Sequence, residues 1–343
     1  MRFRLRLSFI WLGMLIGLSV VAVQARAQTP LKAEKVTVGT IPGPPTQFLP
    51  FFVAQERGLF KAPDVNLEIS TVVSGAIDVM RNAIAQGEID FGLYHLEHVL
   101  IVTDKGKPTV SIVSMMAYPS SVLAVKTGLL PGLENEKDPA KIIGALKGLR
   151  VGTISAPALD TIWFRHLAKK YGGFTEGKDY TFVHLGTAAQ TYEAAMRRNE
   201  VDVIFTVHPY PAPTIYRGVA RIVAFQWDFP EYAPGKYQAT TVITVPEHIQ
   251  RRRDVVARFV KAIVRAERWM NENPQEVVEL GRKFYPDWPA DYAARILPKY
   301  RWMPTFTREA VENVINTYFE EKIISKKLEW ESVVTNEFVK DVR

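Results

Sequence analysis

The alternation of polar and apolar positions divides the chain into short strand-like runs separated by stretches of helix length. Lys35-Val36-Thr37-Val38-Gly39-Thr40 alternates with β-branched residues, and Pro42-Gly43-Pro44-Pro45 then stops it. The run from Phe51 to Phe60 is predicted helical, ending at Gly58-Leu59-Phe60, and a second strand is predicted from Val65 to Ile69. Ser74-Gly75 opens a predicted helix from Ala76 to Ala85. The turn Gly87-Glu88-Ile89-Asp90-Phe91-Gly92 then leads into a third strand. Further strands are expected at Val110 to Met115, Val122 to Val125 and Leu149 to Thr153.

A second series repeats this order. Lys147-Gly148 enters a strand, and Ser155-Ala156-Pro157 opens a helix that carries Lys169-Lys170 in its last turn and Gly172-Gly173 beyond it. Tyr180 to Leu185, Ala188 to Arg198 and Val201 to Phe205 read as strand, helix, strand. Strands alternating with helices of this length build βαβ units, so the expected fold is α/β with mostly parallel sheets. From Arg251 onward the pattern is mostly helical, with Val255, Val256, Phe259, Val260, Ile263 and Val264 on one face. The run Arg251-Arg252-Arg253 reads as a solvated helix start.

The start of the chain has a different character. Arg2, Arg4 and Arg6 precede an uncharged apolar run from Leu7 to Val23, and Ala25-Arg26-Ala27 follows. This order of charged region, apolar region and small-residue exit is that of a signal peptide, expected over residues 1–27 with cleavage before Gln28 and export to the periplasm. Removing it takes away four arginines and no acid, so the net charge falls from +7 to +3. A charge this modest gives no reason to expect nucleic acid or an anionic membrane as partner. The 343-residue chain has no cysteine, which excludes disulfides, thiolate metal sites, cysteine nucleophiles and a lipid-bearing cysteine. The remaining 316 residues exceed what one core usually organises, so two lobes are expected.

Familiar enzymatic signatures are missing: there is no G-x-S-x-G, G-x-G-x-x-G or H-E-x-x-H. Gly172 to Lys178 has the spacing of a phosphate loop. However, Asp179 replaces the hydroxyl residue, and the glycines follow a helix when they should open one. His95-Leu96-Glu97-His98 puts two imidazoles and a carboxylate within four residues. With no second cluster to complete a four-coordinate shell, no metal is expected there, nor any cofactor.

In open α/β sheets, ligands sit beyond the carboxyl ends of the strands. The loops at those ends carry Thr46-Gln47-Phe48, Ser74-Gly75, Tyr94-His95, Ser155-Ala156 and His208-Pro209-Tyr210. Aromatic walls with a few polar groups suit a small molecule, so Thr46, Gln47, Phe48, Ser74, Gly75, Tyr94, His95, Ser155, His208 and Tyr210 are candidate ligand residues.

Pro50-Phe51-Phe52-Val53-Ala54-Gln55-Glu56-Arg57-Gly58-Leu59-Phe60 and Gly87-Glu88-Ile89-Asp90 resemble a known family, as do Lys147-Gly148, Glu200-Val201-Asp202 and Asn273-Pro274. The family is that of periplasmic ABC-transporter binding proteins for nitrate, sulfonates such as taurine, and thiamine pyrimidine precursors. The resemblance spans roughly residues 35 to 285. It implies a periplasmic-binding-protein fold of two lobes with the second inserted in the first: 28–117 and 239–343 for the first, 118–238 for the second. The hinge crossings would lie near Tyr118 and at Phe225 to Gln238, with the C-terminal helices packing on the first lobe. Tyr118 and Asp160 join the candidate ligand residues. The implied partners are a small-molecule ligand and an inner-membrane ABC permease, with the protein a monomer that catalyses nothing. Asp160, in a helix first turn, already occupies a field that would attract an anion, which argues for a ring-bearing or amide-like ligand over a bare sulfonate or nitrate. Two alternatives stand beside this: an exported hydrolase, for which Ser155 with His208 is the best pair, and a sensor module that docks on a receptor.

Overall fold

The computed structural model describes residues 31–42, 46–156, 158–340 and 342, so the expected signal segment and most of the Pro42–Pro45 loop lie outside the described residues. The fold is α/β, as expected. Its ten described strands form two five-stranded sheets of matching topology.

The first sheet is built from β1 (Glu34–Thr40), β2 (Leu67–Val73), β3 (Phe91–His95), β4 (Val110–Ser114) and β10 (Thr240–Thr244), in the order β2-β1-β3-β10-β4. The second is built from β5 (Ser121–Lys126), β6 (Arg150–Thr153), β7 (Thr181–His184), β8 (Val203–Val207) and β9 (Ala220–Phe225), in the order β7-β6-β8-β5-β9. In each sheet the first three strands are parallel. One strand runs against both its neighbours: β10 in the first sheet and β5 in the second. Both antiparallel strands directly follow a passage of the chain from one sheet to the other, through residues 115–120 and 226–239. The two passages are tied together by the Gly235 amide, which donates to the Ala117 carbonyl at 2.8 Å.

The same device pins the central strands of both sheets. Asp90, just before β3, accepts hydrogen bonds from the Thr37 amide at 2.7 Å and the Thr37 hydroxyl at 2.9 Å, both on β1. Asp202, just before β8, accepts from the Arg150 amide at 3.0 Å on β6, and the Arg150 guanidinium grips both its oxygens. These aspartates end the Gly-Glu-Ile-Asp and Glu-Val-Asp turns picked out in the sequence. Asp90 holds β3 in register with β1, and Asp202 holds β8 in register with β6.

The long helix Arg253–Glu272 covers one face of the first sheet. Phe259 stacks on Phe91 at 4.2 Å between ring centres and meets Phe51 and Phe60, while Arg258 donates to the Val65 carbonyl. On the other face, helix Ile77–Ala85 comes very close to the strands. A β-carbon at Gly39 would lie 2.6 Å from the Met80 sulfur, and one at Gly92 would lie 2.4 Å from Ile84 Cδ1 and 3.0 Å from Ile243. Glycine at these positions lets the helix settle onto the sheet. Helix Arg308–Glu320 reaches both sheets: it packs against helix Leu96–Asp104, Glu309 pairs with Lys236, and Glu321 just beyond it pairs with Arg165. Among the described residues no helix is long and apolar enough to cross a membrane.

Gly92→Ala is expected to lower stability by about 1–3 kcal/mol through overpacking. A shift of the urea midpoint with an unchanged denaturant slope would check this.

Candidate functional site

A cavity of about 600 Å³ lies where the carboxyl ends of β1, β3, β6 and β8 face one another across the two sheets. From the first sheet it is lined by Ile41 after β1, by Gln47 and Phe48 in the next turn, and by Gly75, Ala76, Asp78, Val79 and Arg81 around the start of helix Ile77–Ala85. Tyr94 to His98, where β3 runs directly into helix Leu96–Asp104, complete that side. The second sheet supplies Ile154 and Ser155 after β6, Asp160 and Trp163 of helix Leu159–Leu167, Val207 at the end of β8 and Tyr210 after it. Parallel strands point their carboxyl ends the same way, and helices starting there turn free amides toward the cavity.

Eight of the residues singled out in the sequence line this space: Gln47, Phe48, Gly75, Tyr94, His95, Ser155, Asp160 and Tyr210. Gln47 is buried. Its amide nitrogen makes a very short contact with His95 Nε2, and its oxygen accepts from the Ser120 hydroxyl at 2.8 Å. Phe48 stacks on the His95 ring at 5.5 Å. Trp163 is held by its indole N–H, which donates to the Tyr237 hydroxyl at 2.8 Å.

Asp160 is buried, and its two oxygens accept from the Ile154 amide at 3.0 Å and the Thr161 amide at 2.9 Å. It therefore shapes the turn that presents Ser155. Burial pushes its carboxyl up to about 7, although these donors pull the other way.

The other four expected residues lie elsewhere. His208 is fully buried, with Nε2 bonded to the Tyr292 hydroxyl at 2.8 Å and Nδ1 to the Tyr300 hydroxyl at 3.0 Å. Burial drives this imidazole down to about 3, so it stays neutral. Both ring nitrogens are engaged and none is left for Ser155, so the nucleophile–base pair expected for a hydrolase does not form. Tyr118 packs on Trp227 at 4.8 Å within the crossing, and its hydroxyl donates to the Lys299 carbonyl. Thr46 is buried, and its amide donates to the His208 carbonyl at 3.2 Å. The Ser74 hydroxyl accepts from the Ala76 amide at 3.1 Å, closing the turn ahead of the helix.

The strand-end argument passed over groups that reach the cavity from helices: Asp78, Val79, Arg81, His98, Ile101 and Trp163. Asp78 and Arg81 pair three residues apart, and that spacing was the available signal. Glu97 and His98, buried in the first turn of helix Leu96–Asp104, adjoin His95. Glu97 Oε1 lies 3.5 Å from His95 Nδ1 and 3.5 Å from His98 Nε2. Burial alone would raise the Glu97 carboxyl, but the two imidazoles outweigh it and hold it below the usual range, while burial pushes His98 down to about 4. Five buried polar atoms of described lining residues have no hydrogen-bond partner: Arg81 Nε, the Tyr94 and Tyr210 hydroxyls, Glu97 Oε2 and His98 Nδ1.

Comparison with known proteins places this geometry in context. The model of a family described as NMT1/THI5 like matches residues 45–277. The formylaminopyrimidine-binding protein of Halalkalibacterium halodurans is 22% identical over 67% of this chain and 64% of its own length. A 4-amino-5-hydroxymethyl-2-methylpyrimidine phosphate synthase of Saccharomyces cerevisiae is 26% identical over 47% of this chain and 44% of its own length. The chain thus spans less than two thirds of the length of these curated relatives. Among solved structures, the ligand-binding component of an ABC-type import system from Staphylococcus aureus, solved with zinc bound, covers 90% of this chain and 99% of its own. Its TM-score is 0.69 at 14% identity. Periplasmic sulfonate- and nitrate-binding proteins share the fold.

A carboxyl whose folded pKa is raised keeps a proton that the unfolded chain has released, so it costs stability as pH rises through that window. Asp160→Asn should therefore gain stability relative to wild type, on the order of a few kcal/mol, between the unfolded value of 3.8 and about 7. Denaturant melts of both proteins across that range read the difference, in which the opposing contributions of His98 and His208 cancel. A difference that stays flat would contradict the assignment.

Proposed function

Because the chain belongs to the NMT1/THI5-like family, we propose that it is a solute-binding protein that captures a compact, ring-bearing molecule for an ABC importer and catalyses nothing. The cavity carries this reading. It is enclosed by two sheets, walled by Phe48, Tyr94, Trp163 and Tyr210, and furnished with polar atoms that no protein group satisfies. A buried hydroxyl or carboxylate without a partner costs free energy, and a ligand that supplies the partner recovers it. Such a pocket favours a flat solute with hydrogen-bonding edges. The formylaminopyrimidine-binding relative supports a pyrimidine-like solute.

The yeast relatives are named as synthases, so the absence of catalysis needs its own argument. The chain has no cysteine, and the buried His208 is committed to Tyr292 and Tyr300. We place the first lobe at 28–117 and 239–343 and the second at 118–238, turning about the two crossings so that the cavity closes on its solute. The arginine-led, apolar, Ala25-Arg26-Ala27 pattern at the start of the chain supports export to the periplasm as a monomer serving a membrane permease.

Titration calorimetry against a panel of aminopyrimidines, amidines, aromatic acids, sulfonates and nitrate is the test, and a pyrimidine-like compound should bind best. Tyr94→Phe and Tyr210→Phe remove only hydroxyls. Each should weaken that binding three- to tenfold, the effect of losing about 0.5–1.5 kcal/mol, while the melting temperature of the free protein holds or rises, because an unpartnered buried hydroxyl is removed. Wild-type affinity in both variants would remove the cavity from the account.

A further inference from the structure

We propose that His95, Glu97 and His98 form a binding site for one first-row divalent cation of the zinc class on the cavity wall. The three side chains each offer a ligand atom, and these atoms lie within 4.8 Å of one another. The two contacts at Glu97 Oε1 are 3.5 Å long, beyond the 2.7–3.2 Å of an N–H···O hydrogen bond. They match the separation of two ligands around one ion. Tetrahedral zinc with bonds near 2.0–2.2 Å sets its ligand atoms about 3.3–3.5 Å apart.

Burial and satisfaction point the same way. Glu97 and His98 are more than nine-tenths buried and line the cavity, and Glu97 Oε2 and His98 Nδ1 have no protein partner. A plain hydrogen-bonded triad would leave the buried carboxylate oxygen Glu97 Oε2 unpaired at a cost of roughly 1–3 kcal/mol. A cation engages the carboxylate directly.

The surroundings supply the outer layer that such sites use. Gln47, anchored to Ser120, presses its amide against His95 Nε2 and turns Nδ1 toward Glu97. Phe48 stacked on the ring keeps it in that plane.

Three protein donors leave the remaining coordination position open to the cavity. A site of this form keeps a position for water or for a donor atom of a bound molecule. The cation site does not depend on the importer reading, because it is defined by side chains of the first sheet alone.

The test uses the full mature chain, stripped with chelator and titrated with zinc in competition with a chromophoric chelator. Binding of one zinc at micromolar or tighter affinity is expected. His95→Gln, Glu97→Gln and His98→Gln should each weaken it tenfold or more. The control His184→Gln, on the second sheet, should not. Cobalt substituted for zinc should show the intense visible bands of a four-coordinate site, and Glu97→Gln should abolish them. The melting temperature of each metal-free variant confirms folding, and His95→Gln, at the least buried of the three, keeps the test alive if a buried variant unfolds. Zinc binding that is absent, or is unchanged in a folded variant of the three, overturns the proposal. Solute binding measured in chelator then reports on the importer reading separately.

Discussion

Asp90 sits where β3 begins. Its carboxylate takes the Thr37 amide and hydroxyl on one oxygen and the Arg252 guanidinium, at 2.7 Å, on the other. The pairing of β3 with β1 follows from that grip, and so does the height at which β3 emerges from the sheet. Tyr94 and His95 end that strand and Glu97 and His98 open the next helix, because the strand passes into it without an intervening loop. Charge-assisted hydrogen bonds of this kind are worth about 1.5–3 kcal/mol each. Asp202 and Arg150 repeat the arrangement in the second sheet and set where β8 delivers Val207 and Tyr210. Two sheets anchored alike thus bring their carboxyl ends to one cavity.

The cavity departs from the rule that buried polar groups find partners in the protein. Neighbouring groups spend their hydrogen bonds within the protein: Asp160 on the Ile154 and Thr161 amides, Trp163 on Tyr237, and His208 on Tyr292 and Tyr300. At Arg81, Tyr94, Glu97, His98 and Tyr210 they stay unspent. Unmet groups on a cavity wall cost stability and provide binding energy to a molecule that pairs with them, the usual exchange at a functional site.

Much of this was legible in the sequence. The alternation at Lys35 to Thr40, the paired Gly-Glu-Ile-Asp and Glu-Val-Asp turns, and the helix signals around Ser155 marked the strands whose ends line the cavity. Gln47, Phe48, Tyr94, His95, Ser155 and Tyr210 were placed there by strand-end position alone. What escaped was direction and distance. His208 and Tyr210 share a loop, yet His208 is turned away by tyrosines more than eighty residues further along, which no local pattern records. Trp163 and Arg81 reach the cavity from helix faces, where the same periodicity serves core packing. The His95–His98 cluster was set aside for want of a second cluster, whereas the strand-to-helix passage brings its three side chains together without one.

The central claim is that one solute is held by both sheets at once. Hydrogen–deuterium exchange on the protein, with and without the best-binding compound, measures this directly. The account predicts slowed exchange in 46–48, 75–81 and 94–98 of the first sheet's side, and together with them in 154–163 and 207–210 of the second. Protection confined to one sheet, or appearing on a surface away from these segments, would contradict it.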